Sequence, residues 1–133
     1  MKNYLIMIAV LFISCSNKQE KSLTSIRILY VNEEIERFLS VSCNSFEKSF
    51  SSILKEKIIN DKAILQKIAK YITPTKGLKE KNIDVRTKVI LQYENGTSNI
   101  LCFDRYNNAS IDGEVKEIDA SFFKIIRNSI NMN

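Results

Sequence analysis

The chain has no histidine and no tryptophan, and only one proline and three glycines in 133 residues. Without an imidazole, the Ser-His-Asp and Cys-His catalytic arrangements and the histidine-bearing zinc sites cannot be assembled. The three glycines stand far apart, so there is no Gly-rich loop to cradle a phosphate. The three cysteines, Cys15, Cys43 and Cys102, form no Cys-x-x-Cys pair and show no metal-ligand spacing, which leaves dithiol redox catalysis without its motif. Pairs of acids such as Asp104 with Asp112, or Glu114 with Glu117, are what any chain with fifteen carboxylates offers, and none of them marks a hydrolase site. No cofactor and no metal is expected. What remains is an ordinary folding composition, 44% hydrophobic and 26% charged, of the size of one domain.

Long apolar runs are also scarce. The longest, Tyr4 to Ile13, has ten residues. At about 1.5 Å per helical residue it covers roughly half of a hydrocarbon core about 30 Å thick, too little for a permanent span. Lys2 precedes it and the polar stretch Ser16 to Glu20 follows, the three-part layout of an export signal. Within it, Leu11-Phe12-Ile13-Ser14-Cys15 resembles the lipobox of bacterial lipoproteins, in which a small residue stands directly before a cysteine that closes the apolar segment. Phe12 occupies the place where that family most often has leucine, and Leu11 comes one place early. The resemblance implies removal of residues 1–14 and acylation of Cys15, two or three chains holding firmly where one holds marginally. It also implies a cell-envelope location, and Ser16 after the cysteine resembles the type released to the outer membrane, facing the periplasm. The bilayer is then one partner, through the lipid, and an unidentified protein the other. Without residues 1–14 and Lys2 the net charge falls from +5 to +4, and its signs alternate along the chain, a pattern of solvated faces and not of a nucleic-acid stripe.

Residues 15–25 read as the anchor and a flexible tether, and residues 26–133 as a single domain. Ile26 to Val31 reads as a strand, Asn32-Glu33-Glu34 as a turn, and Arg37 to Cys43, with Leu39, Val41 and Cys43 in one phase, as the returning strand of a hairpin. Asn44 and Glu47 have capping-box spacing ahead of Phe46, Phe50, Ile53 and Leu54. Asp61 caps a helix lined by Ile64, Leu65, Ile68 and Ile72 that stops at Thr73-Pro74. Asn95-Gly96, between alternating segments, predicts a two-residue type I′ hairpin that pairs Leu91 with Ile100, Val89 with Cys102 and Thr87 with Asp104. Asp112-Gly113 predicts a second tight turn, and Asp119 a C-terminal helix with Phe122, Phe123, Ile126 and Ile130 on one side. The result is an α+β fold, one antiparallel meandering sheet of five or six strands with two main helices on one face.

Three features could carry function. Cys43 and Cys102, in an oxidising compartment, are either a disulfide or two buried thiols. The predicted hairpin register sets Arg86 opposite Arg105 on the outer face, beside Lys88 and Phe103; opposed cations ask either for an anionic group between them or for neutralisation by local acids such as Asp84 or Glu114. Lys76, Lys79 and Lys81 make the loop from Thr73 to Asn82 basic, either a solvated connector or a docking loop for an acidic partner. Together these readings describe a non-catalytic, lipid-anchored envelope protein that binds another macromolecule, with an immunity or inhibitor protein as the concrete version. An accessory subunit of an envelope assembly is the alternative, and a small envelope enzyme comes third.

Overall fold

The computed structural model describes residues 21–73, 77 and 81–131. The leader, Cys15, Lys76 and Lys79 lie outside the described residues. Within them the order is β1 (Leu23–Tyr30), α1 (Phe46–Ser49), β2 (Lys55–Ile59), α2 (Lys62–Tyr71), β3 (Thr87–Tyr93), β4 (Ser98–Phe103), β5 (Ala109–Ile111), β6 (Glu114–Lys116) and α3 (Ala120–Asn131). The strands form one open antiparallel sheet in the order β2-β1-β3-β4-β5-β6. This is the expected α+β fold.

Period-two burial in the central strands decides what covers each face. Ile26 and Ile28 of β1, Val89 and Leu91 of β3, and Leu101 and Phe103 of β4 point to the first face, where Leu65 and Ile68 of α2 and Phe122, Phe123 and Ile126 of α3 close over them. Both helices start at an aspartate, as expected: Asp61 accepts from the Ile64 N–H at 2.9 Å, and Asp119 from the Ser121 N–H at 2.8 Å. Leu29 of β1 and Cys102 of β4 point to the second face, which carries no long helix among the described residues. The chain from Val31 to Leu54 covers it instead, with Val41, Phe46 and Phe50 packed against Ile83, Val85 and Cys102. A disulfide, Cys43–Cys102, with Cα atoms 5.8 Å apart, ties this cover to β4.

Four expectations are corrected. β1 begins at Leu23, so the last three residues assigned to the tether belong to the sheet. Arg37 to Cys43 is not a strand: the place beside β1 is taken by β2, with Ile26 opposite Ile59. The Lys55-Glu56-Lys57 run conceals that strand, because charge is how an edge strand is kept from pairing further. Asn44 and Glu47 form no capping box. Ser45 is the N-cap and makes no side-chain cap bond, while Glu47 reaches Lys88 at 2.6 Å.

The fourth correction is a slip of one residue. The β3–β4 loop has three residues, because the Gly96 N–H donates to the Tyr93 carbonyl and the Tyr93 N–H to the Thr97 carbonyl. Gly96 alone takes a positive φ, +82°, as in a type I turn closed by a left-handed residue. Val89 therefore faces Leu101, and Lys88 faces Cys102. A one-residue slip turns every side chain over, so Cys102 lies on the second face and not beside Val89. The two-residue turn with positive φ at both positions occurs at Asp112-Gly113, at +48° and +87°.

Candidate binding surface

β1 ends at Tyr30, and from Val31 the chain crosses the end of the sheet before descending over the second face. Side chains and backbone of the segment leading into β3 receive it. The Val31 N–H donates to the Arg86 carbonyl at 3.1 Å, and the Val85 N–H to the Val41 carbonyl at 2.9 Å. The Asp84 carboxylate accepts from the Val41 N–H at 2.9 Å, and Asn82 donates to the Ser40 hydroxyl at 2.9 Å. Arg86, 1% exposed, directs its guanidinium at the Ile35 carbonyl from Nε and Nη2, at 3.2 and 2.9 Å, and pairs with Asp84 at 2.7 Å. At the first bend, Arg127 of α3 holds Glu33 at 2.8 Å. Arg37 donates to the Ser49 carbonyl at 2.6 Å and lies 4.7 Å from the centroid of the Phe50 ring.

Between these braces stand Phe38, fully exposed, and Leu39, 81% exposed. A polar chain with this many supports does not need an apolar crest for its own stability, and exposing a large aromatic next to a leucine has no folding benefit. The crest lies at the end of the sheet opposite the start of β1. The eight residues of that strand, at about 3.3 Å each, separate the two ends by roughly 25 Å. Behind the loop, a cleft of about 440 Å³ is lined by Tyr30, Asn32, Lys55, Thr87, Glu33 and Arg127, of which the last two are already paired with each other.

A second apolar surface lies on the part of the second face that the cover leaves open. Ile58, Arg27, Ile90 and Ile100 form one row across β2, β1, β3 and β4. Ile58 and Ile100 are exposed, and Arg27 pairs with Glu56 at 2.6 Å, a bond that lowers the Glu56 carboxyl below its ordinary range.

The residues singled out from the sequence do not converge on one surface. In the observed register Arg86 does not face Arg105: the Arg86 N–H donates to the Phe103 carbonyl, and the buried guanidinium is neutralised by Asp84. Arg105 is half-buried, with its guanidinium 5.8 Å from the Tyr106 ring centroid. No opposed pair of cations exists there to attract an anion. Phe103 is wholly buried against Phe122 and Phe123, and so belongs to the core. Lys88 is spent on Glu47, and Lys81 donates to the Asn108 amide oxygen at 2.9 Å.

The Phe38-Leu39 crest was not singled out, although its signal was present. Neighbouring residues of a strand point to opposite faces, so a Phe-Leu step directly after the run Glu33-Glu34-Ile35-Glu36-Arg37 leaves one large apolar side chain unaccounted for in any strand assignment. Among the described residues no three His, Cys, Asp or Glu side chains gather as a metal site, and no helix is long and apolar enough to cross a membrane. Comparison with known proteins gives no match to a family model, a curated protein or a solved structure.

Proposed function

We propose that this is a non-catalytic, lipid-anchored protein of the bacterial cell envelope that binds another macromolecule through the loop from Asn32 to Ser42, acting as an immunity or inhibitor protein. One observation carries the binding role: an adjacent phenylalanine and leucine stand in solvent on a backbone braced from both sides. Binding interfaces concentrate their energy in a few aromatic and aliphatic anchors held in place beforehand, and this crest has that form. The anchor is supported by the lipobox-like segment ending at Cys15. The tie to lipid at one end of the domain and the crest at the other suit a protein that holds a partner at the membrane without chemistry of its own.

Two measurements test this reading. Mass spectrometry of the protein extracted from membranes should show a chain beginning at an acylated Cys15, and an unmodified chain starting elsewhere would remove the anchor. Purification of the anchored protein from native membranes should retain a partner in stoichiometric amount, and the double variant Phe38→Ser, Leu39→Ser should lose it while keeping the wild-type melting temperature. Equal retention by both would remove the loop from the interface.

A further inference from the structure

We infer that the Phe38-Leu39 crest seats in an apolar cleft of a protein partner on the side of the domain away from the anchoring bilayer, and does not dip into lipid; this rests on the anchored, partner-binding reading above. Three observations separate the two occupants. The described chain enters the sheet at the start of β1, and the crest lies beyond the other end of that strand, roughly 25 Å away. A domain tied through the first end has the second free to reach whatever stands opposite the membrane. The crest is also flanked by Glu34 and Glu36, both exposed and neither in an ion pair among the described residues. The adjoining cation, Arg37, is turned back onto Phe50 and the Ser49 carbonyl. Sinking the crest into a bilayer would press two carboxylates against a surface that is itself negative, the reverse of the basic patches that adsorb to lipid. A lipid-inserting loop gains little from a fixed shape, since hydrocarbon accepts any. Bonds at Val31, Ile35, Ser40 and Val41 hold this one, and a fixed shape is useful where a complementary cleft has to be matched.

Photocrosslinking in the native envelope decides between the occupants. The full chain carries p-benzoylphenylalanine at position 38 or, for comparison, at position 58 in the open isoleucine row. Position 38 is expected to give a protein adduct of one defined mass, at least about tenfold stronger than any adduct from position 58. Leu39→Asp should reduce the position-38 adduct about tenfold without moving the melting temperature, because Leu39 is exposed. Phospholipid adducts at position 38, or adducts with a second copy of this chain, would overturn the inference while leaving the anchor in place. A protein adduct at position 58 and none at 38 would keep a binding role but refute the loop as its place. No protein adduct at either position would reject the proposed function as well.

Discussion

Cys43→Ser is expected to lower the melting temperature by about 15 °C in oxidising buffer and to leave it close to that of the wild type under a strong reductant. The bridge spans 59 residues, and in the chain-entropy account a loop of that size restrains the unfolded chain by about 4 kcal/mol, which for a domain of this length corresponds to the stated shift. Cys102→Ser should match it in oxidising buffer but keep a deficit of a few degrees when both proteins are reduced. The reason is burial: Cys43 is half-buried, whereas Cys102 is wholly enclosed beside Val85 and Phe50, so the second substitution also places a hydroxyl in an apolar setting. Thermal melts of the three proteins with and without reductant measure both effects. An equal loss for Cys43→Ser in the two buffers would mean that the sulfurs are not joined. Because Cys43 closes the segment that carries the crest, the reduced wild type should also lose hydrogen-exchange protection at Val41 and Val85 before it does at Ile28 or Val89.

The pairing of these two cysteines was legible as one of two alternatives, but their position in the fold was not. Asn95-Gly96 suits both a two-residue and a three-residue hairpin, since each places a glycine where φ is positive, and nothing local chooses between them. The choice lies in the pattern beyond the turn. With the longer loop Leu101 and Phe103 join Val89 and Leu91 under the helices, and the two phenylalanines of α3 find Phe103 edge to face at 6.4 and 5.1 Å between centroids. The caps at Asp61 and Asp119 could be read directly because they are contained in four residues. β2 and the loop exchanged roles for the opposite reason. Arg37 to Cys43 has the alternation of a strand, but its Val41 N–H and carbonyl bond Asp84 and Val85 before β3, whereas the strand that begins with the charged Lys55-Glu56-Lys57 sits on the sheet edge and contributes Ile59 to the core. Long-range partners of this kind leave little trace in a local pattern. The candidate site depends on them throughout, which is why Arg86, legible in the sequence only as half of an opposed pair of cations, is a brace of the loop and the crest beside it did not stand out.

Arg86→Met is expected to cost about 3 kcal/mol and to loosen the loop from Asn32 to Ser42 before it affects the sheet. Arg86 is enclosed, and its guanidinium binds the Ile35 and Val85 carbonyls and the Asp84 carboxylate while resting 5.5 Å from the centroid of Phe50. Methionine fills much of the same volume but satisfies none of these acceptors, and an acceptor left inside without a partner carries its desolvation cost in full. Asp84 is better placed to tolerate the change, because its side chain is partly exposed and still accepts from the Val41 N–H. The loss therefore falls mainly on the carbonyl at Ile35, three residues before the crest. Arg86→Lys should rescue little, since one ammonium cannot reproduce a planar fork that meets a carbonyl and a carboxylate at once. Asp84→Asn should cost at least as much as Arg86→Met, because the amide oxygen keeps an acceptor for Val41 but the enclosed guanidinium loses its counter-charge. The double variant should fall short of the sum, as expected for residues that share one network. Denaturant melts measure the energies, and exchange at the amides from Ile35 to Val41 shows whether the loop opens first. If these amides open only with global unfolding while stability falls, Arg86 stabilises the whole domain and does not specifically brace the crest.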